Sequence, residues 1–411
     1  DFLLETNDDG RRYTIGEASF NAKLKARNLT NSLKYVLIGD PALTLDFGTE
    51  RYVATEEING QHIDICESPI AALKTNVVKG SIRNADNSLC DSFNGQVMVT
   101  LYDKRATKIM TGPVSGSTYS YEDNGNILYS GMVPVKGGSF DVSFILSKDI
   151  DFEVGYGRLS YYAYSVDSVE ASGSLNTVLV GGVSDNISDD GQGPEITMWI
   201  DYPEFSDGGN TGPNPIVYAR ISDESGINTS GLGVGHNISI CIDNDRENAI
   251  NANDFFSYDV GSFTSGMLEY QLPTLPDGHH VITLKAWDNI NNSSIKEINI
   301  NSSVHSGISF GTVELFPQPY FSESSFKLSF SHNSGAGNMD ITMRLYGLNG
   351  QQLAQSSATI AASGSRFDDI DVSSFLPSIK GLSSGIYFLN VDIRNNGRKG
   401  VFTKKIIIKA Q

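Results

Sequence analysis

The segment Val133-Pro-Val-Lys-Gly-Gly-Ser-Phe-Asp-Val-Ser-Phe144 constrains the fold more than any other. Phe140, Val142 and Phe144 alternate with polar residues and so line one face of a strand with period two. Between them and Val133, Gly137-Gly138 supplies a positive-φ turn, so residues 133–144 read as a hairpin. Similar runs recur. Strands are predicted over 75–82, 95–102, 131–135, 139–146, 158–166 and 174–180, six within roughly 110 residues, the density of an immunoglobulin-like sandwich. Residues 48–72 read as a connector with a weak strand and an Asn59-Gly60 turn, and 111–126 as a polar, mobile loop.

A second sandwich is predicted after the Asp/Ser/Gly-rich linker 184–193, with strands over 195–200, 216–222 and 236–242. In Asp277-Gly-His-His-Val-Ile-Thr-Leu-Lys-Ala-Trp287, parity sends Ile282, Leu284 and Ala286 to one face and Val281, Thr283 and Lys285 to the other. Trp287 reads as a core anchor. A third sandwich follows: Phe326–Phe330, an Asn349-Gly350 turn after residues 340–347, then Gly385-Ile-Tyr-Phe-Leu-Asn-Val391 and the strongly apolar Phe402-Thr-Lys-Lys-Ile-Ile-Ile-Lys409. The fold class expected is mainly β.

The first residues differ. Residues 16–28 (GEASFNAKLKARN) read as an amphipathic helix. Tyr35 to Ile38 is a short apolar run without alternation, the pattern of a strand covered on both faces, ending at a Gly39-Asp40-Pro41 turn. Residues 15–45 are therefore expected to form a small α/β unit. So short a unit cannot bury a core alone.

Charge excludes some functions. The chain carries 30 Lys plus Arg and 48 Asp plus Glu, a net of −18, which argues against nucleic acid as a partner. Ten of the cations but only seven of the anions lie from Ile308 onward, so the last hundred residues carry +3 against −21 upstream. Such asymmetry is what a module docking on a separate partner would give, though chance variation of surfaces gives it too. No apolar run approaches the roughly 18 residues needed to span a membrane.

Chemistry-bearing residues are sparse. Cys66 and Cys90 could pair, closing a loop of about 24 residues worth about 3 kcal/mol, or stay reduced. Cys241 reads as a core thiol. No His precedes His62, so the first segment holds no Cys–His pair. Asp243, Asp245, Glu247, Asn251 and Asp254 fall at positions 1, 3, 5, 9 and 12 of a twelve-residue calcium loop. Yet position 6 is Asn248 rather than Gly, position 12 is a short Asp and Arg246 intrudes, so a solvated connection is the preferred reading. Gly231-Leu-Gly-Val-Gly-His236 has the look of a nucleotide loop but opens a strand, not a helix, and His279-His280 reads as a hairpin corner. No cofactor is implied.

Two stretches carry a family resemblance. Ile15-Gly-Glu-Ala18 followed by Leu37-Ile-Gly-Asp-Pro-Ala-Leu43 resembles the last helix and strands of gingipain-type cysteine peptidase domains. The ordered set Pro317-Gln-Pro319, Leu345-Tyr-Gly-Leu-Asn-Gly350, Leu382-Ser-Ser-Gly-Ile-Tyr387 and Thr403-Lys-Lys-Ile-Ile-Ile-Lys409 resembles the C-terminal sorting domain of type IX secretion proteins of Bacteroidetes. Together, with Gly193-Pro-Glu-Ile196 and Lys285-Ala-Trp-Asp-Asn-Ile-Asn-Asn-Ser293 between them, they are similar to the C-terminal part of the gingipain-like cell-surface sortases of that system.

The resemblance implies four parts: 1–47 a peptidase-domain remnant, 48–190 and 191–305 two β-sandwiches, and 306–411 the sorting domain. It implies a parent enzyme, catalytic Cys and His lying upstream, that cuts sorting domains from secreted cargo and attaches the cargo to lipopolysaccharide. This part would be non-catalytic, sit on the outer face of the outer membrane, support the peptidase domain and dock on an outer-membrane barrel of PorV type. The docking residues expected are Lys404, Lys405, Ile406, Ile407, Ile408 and Lys409, at a terminal strand suited to edge pairing. A secreted gingipain-like protease, or an adhesin with aromatic clusters on a sheet face, would be the alternatives.

Overall fold

The computed structural model describes residues 3, 10–26, 32, 34–45, 51–112, 116–123, 125–165, 167, 169–184, 189–304, 306–321, 325–334, 337–362, 364, 366–395 and 397–409. They form one helix of length followed by three β units, each around its own apolar core. The expected boundary at 47/48 and the helix end at Asn28 lie outside the described residues.

The helix is Ile15–Lys25, shorter than the sequence suggests. A capping box starts it: Glu17 N donates to Thr14 Oγ1 at 3.1 Å, and Thr14 N donates to Glu17 Oε2 at 2.8 Å. Arg11 grips the same carboxylate in bidentate fashion, which with the Thr14 amide holds Glu17 down at about 2. Gly16 lies so close to Pro41 that a Cβ there would stand 2.7 Å from the proline ring, and Gly16 N donates to Pro41 O. The expected covered strand at 35–38 is not found. That stretch is irregular, with Tyr35, Val36 and Ile38 all exposed. A single helix that buries only Ala18 cannot cover two faces of a strand.

The first unit is a nine-stranded sheet whose main path runs Ile127–Val135, Gly95–Tyr102, Gly155–Ser165, Glu170–Val183, Arg51–Ile58, Thr75–Asn84, Ser139–Ile145. Phe140, Val142 and Phe144 are buried, and Gly137 and Gly138 both have positive φ, as predicted. The expected hairpin does not form: the two strands joined by that turn meet only through Lys136 and Ser139, then diverge to opposite edges. The sheet is therefore rolled, its edges drawn together by one tight turn.

Arg51–Ile58 is an interior strand rather than a connector. A register shift between Thr55 and Glu57 breaks its alternation, which hid it. The polar loop is also more ordered than expected, since Ala106–Thr111 and Thr118–Asp123 pair as an exposed hairpin.

The second unit packs a four-stranded sheet (Glu195–Ile200, Ile216–Ser222, Ser265–Gln271, Phe256–Tyr258) on a five-stranded one built around Gly278–Trp287 and Ser293–Ser302. Ile282, Leu284 and Ala286 are fully buried, as parity required. The third unit pairs a three-stranded sheet (Phe310–Phe316, Lys327–His332, Arg366–Asp371) with five strands in the order Tyr320–Phe321, Arg398–Lys409, Gly385–Asn395, Gly337–Gly347, Gln352–Ala362. No helix among the described residues is long and apolar enough to cross a membrane.

Candidate functional site

The terminal strand Arg398–Lys409 is internal to its own unit on one side only. All eleven residues of Gly385–Asn395 pair with it. Its other side is covered at the ends, by Tyr320–Phe321 pairing with Ile408 and Lys409 and by Ile308 N donating to Lys399 O. Gln318 adds a cap, accepting from Ile407 N at 3.1 Å. Gln318 also donates to Lys405 O at 3.4 Å, so between these covers only the edge from Val401 to Lys404 has no strand or cap beside it among the described residues. Side-chain placement corrects part of the sequence expectation. Ile406 and Ile408 are core residues, 0% and 1% exposed, and cannot meet a partner without unfolding the sheet. Lys405 and Lys409 are exposed, Lys404 is half-buried, and Ile407 stands out with Val401 on the open face.

The twelve-residue acidic loop does not form a cage. Asp243 uses both carboxylate oxygens, accepting from Val281 N at 2.8 Å and meeting His280 Nδ1 at 2.7 Å. Asp245 accepts from the backbone and side chain of Asn248. Among the described residues no three His, Cys, Asp or Glu side chains converge on a metal position. His280 is a strand residue, not a corner. Its Nε2 faces Pro276 O at 3.0 Å, so both ring nitrogens meet acceptors and its pKa rises despite opposing burial.

The cysteines are all free. Cys66 contacts the carbonyls of Ile58 and Ser68, while Cys90 contacts Ser92 Oγ. Cys241 is half-buried on the face opposite the core residue Ile240, so it is not the core thiol expected. Burial, with Asp245 nearby, still pushes its thiol pKa up. Trp287 likewise faces away from Ile282, Leu284 and Ala286. It lies against His236, with ring centres 4.2 Å apart, and Lys285 Nζ sits 4.0 Å from its ring centre.

Two polar pins join the units, and sequence reading missed both. At the first joint Asp149 receives His236 Nδ1 at 2.7 Å, Asn228 Nδ2 at 3.0 Å and Asn291 Nδ2 at 2.8 Å, all from the second unit. Burial opposes the charge, but these donors prevail and hold the carboxyl below its ordinary value. The rejected glycine loop thus has a structural use, delivering His236 to this joint. Beside it Asn289 Nδ2 donates to Ile145 O, and Tyr129 stacks on Tyr258 at 5.7 Å.

At the second joint the buried Arg398 donates through Nε to Ser306 O, and through its two terminal nitrogens to Asn333 O, Gly307 O and Asn333 Oδ1. Its guanidinium lies against Gly212 of the second unit, where a Cβ would come within 2.2 Å. The nearby Asp201 is 1% exposed and accepts from Thr211 Oγ1 at 2.5 Å and Ile216 N at 3.0 Å. Burial pushes its carboxyl up to about 6, with Thr211, Ile216 and Arg398 pulling the other way.

A pH dependence follows. Folding raises the Asp201 pKa above the unfolded value of 3.8, so the folded chain holds this proton to higher pH. Its stabilising contribution is full below 3.8 and is lost as pH rises through about 6. Asp201→Asn should flatten that part of the stability curve, a change of about 2–3 kcal/mol. Urea unfolding at a series of pH values checks it, and unchanged slopes in the variant would refute it.

Residues 314–409 match the secretion system C-terminal sorting domain family. No curated protein matches the chain. Among solved structures, the chain is similar to dimeric latent PorU from Porphyromonas gingivalis at 26% identity and a TM-score of 0.42, over 100% of this chain and 39% of that one. A tandem-repeat region of a large adhesion protein aligns at 14% identity and a TM-score of 0.19, over 87% of this chain and 73% of that one. The chain thus spans well under half the length of the PorU chain it matches. It carries a sorting domain related to type IX secretion, the mark of a secreted or cell-surface protein, and resembles PorU along its whole length.

Proposed function

We propose that this chain is the non-catalytic C-terminal part of a type IX surface sortase of PorU type, holding the peptidase domain through residues 1–47 and docking on an outer-membrane barrel through its sorting domain. The observation that carries the reading is the sorting-domain match over residues 314–409. The gingipain-like motif at residues 15–43 joins it at the other end. In this reading the parent enzyme cuts sorting domains from cargo and transfers the cargo to lipopolysaccharide, while no step of that chemistry falls on these residues.

The open edge at Val401–Lys404, with the side chains of Val401, Lys405 and Ile407 beside it, is the docking surface in this proposal. An edge strand offers unpaired backbone donors and acceptors, and flanking lysines restrain self-association. Removing the whole strand would gut the core that Ile406 and Ile408 help fill, so it is a poor test. The double variant Val401→Glu, Ile407→Glu changes exposed positions only. It should lose retention on a co-expressed PorV-type barrel while keeping the parent melting temperature. Full co-purification of the folded variant would rule out this edge.

A further inference from the structure

We infer that the cleft between the first and second units, together with the tyrosine strip leading out of it, binds a neutral oligosaccharide. This is independent of the docking proposal.

The cleft encloses about 650 Å³. One wall is the outer face of the first sheet, with Met98, Ile127 and Met132. The other is an amide-rich rim of the second unit, including Asn237, Asn251 and Asn253. Asn253 is committed, since its amide donates to Thr229 O and Asn237 Oδ1 and its carbonyl accepts Ile238 N. The amide NH2 groups of Asn237 and Asn251 have no partner among the described residues and remain available to a ligand. Domain interfaces with an apolar floor and a few convergent polar groups are a usual place for ligand sites.

The strip is set by strand register. Met132, Met98, Tyr162 and Ser172 sit directly opposite one another on four neighbouring strands, and Tyr52 continues the row beyond Ser172. Tyr164 lies two residues along from Tyr162, ring centres 6.4 Å apart, and all three tyrosines are exposed. Two of the hydroxyls are held at the rim, Tyr164 by Gln96 and Tyr52 by Asn87. Fixing these hydroxyls orients their rings before any ligand arrives, which lowers the cost of binding.

Charge selects the ligand class. The cleft lining carries one carboxylate, Asp254, and no cation, within a region whose net charge is strongly negative. Polyanions are repelled there and have nothing to pair with. Rings that accept an apolar sugar face, next to free amides that bond hydroxyls, fit a chain of uncharged sugars. Aromatic faces also stack on nucleobases, but the attached phosphates make that ligand the wrong charge.

The test uses the purified chain with cellohexaose, laminarihexaose, maltohexaose, mannohexaose and chitohexaose, and a heparin-derived hexasaccharide as the anionic control, by titration calorimetry. At least one neutral hexasaccharide should bind, and the heparin fragment should not. Tyr162→Ala and Asn237→Ala should each weaken that binding by about tenfold. Tyr162→Phe should bind nearly as well as the parent, because stacking uses the ring face rather than the hydroxyl. Melting temperatures identify any variant that misfolds. Absence of binding to all five at millimolar concentration, preference for the heparin fragment, or binding indifferent to both alanine variants would each overturn the inference.

Discussion

Arg398→Ala should uncouple the last unit from the second and cost about 3–5 kcal/mol, the range for removing one member of a buried charged network. The guanidinium satisfies four acceptors, those of Ser306 and Gly307 where the chain passes from one unit to the next and two on Asn333 of the last unit. Without it those carbonyls are left dry, and Asp201 loses a cation that favours its charged form. Arg398→Lys should recover little, because an ammonium cannot span a fork of acceptors in this geometry. Scanning calorimetry should show the sorting domain melting as a separate transition, lowered by roughly 10 °C or more. A single transition within about 1 kcal/mol of the parent would mean that the apolar contacts alone hold the joint.

Asp149→Ala should act in the same way at the other joint, at about 2–4 kcal/mol. Three donors from the second unit converge on this carboxylate, and its loss strands the amides of Asn228 and Asn291 and the His236 ring. Asn228 keeps a bond to Ser147 Oγ, so it is the least affected of the three. Limited proteolysis is the direct readout, because a loosened joint exposes the backbone packed there around Ile145 and Asn289. If cleavage rate and melting temperature both stay at parent values, Asp149 is not what holds these units together. Asp149→Asn should fall between the two, keeping one acceptor but losing the charge.

Strands with clean alternation were legible in the sequence. Glu195–Ile200, Ile216–Ser222 and Gly95–Tyr102 fall where period-two reading puts them, because one face is buried and one is wet. Arg51–Ile58 was not, since its bulge shifts the phase midway. The hairpin Ala106–Asp123 was hidden because neither of its faces is buried, leaving no alternation to read.

Trp287 was legible by parity, which already put it opposite Ala286, but a general preference for buried tryptophan prevailed. The calcium spacing fitted a one-dimensional template, whereas Asp243 has a φ of 53° and turns its carboxylate onto the neighbouring strand. The joints are the least legible of all. Asp149 and His236 are 87 residues apart, and no local pattern marks a charge that will meet its partners only after two sheets have formed.

The direction of the last strand has a mechanical consequence. Its start lies beside Ile308, where the chain arrives from the second unit, and its end lies beside Tyr320 at the far side of the sheet. Tension applied between the second unit and Lys409 would therefore pull along the strand rather than across it. Every hydrogen bond to Gly385–Asn395 would be loaded together, in shear, instead of one after another as in a zipper. A module strung this way yields abruptly, at high force, rather than strand by strand.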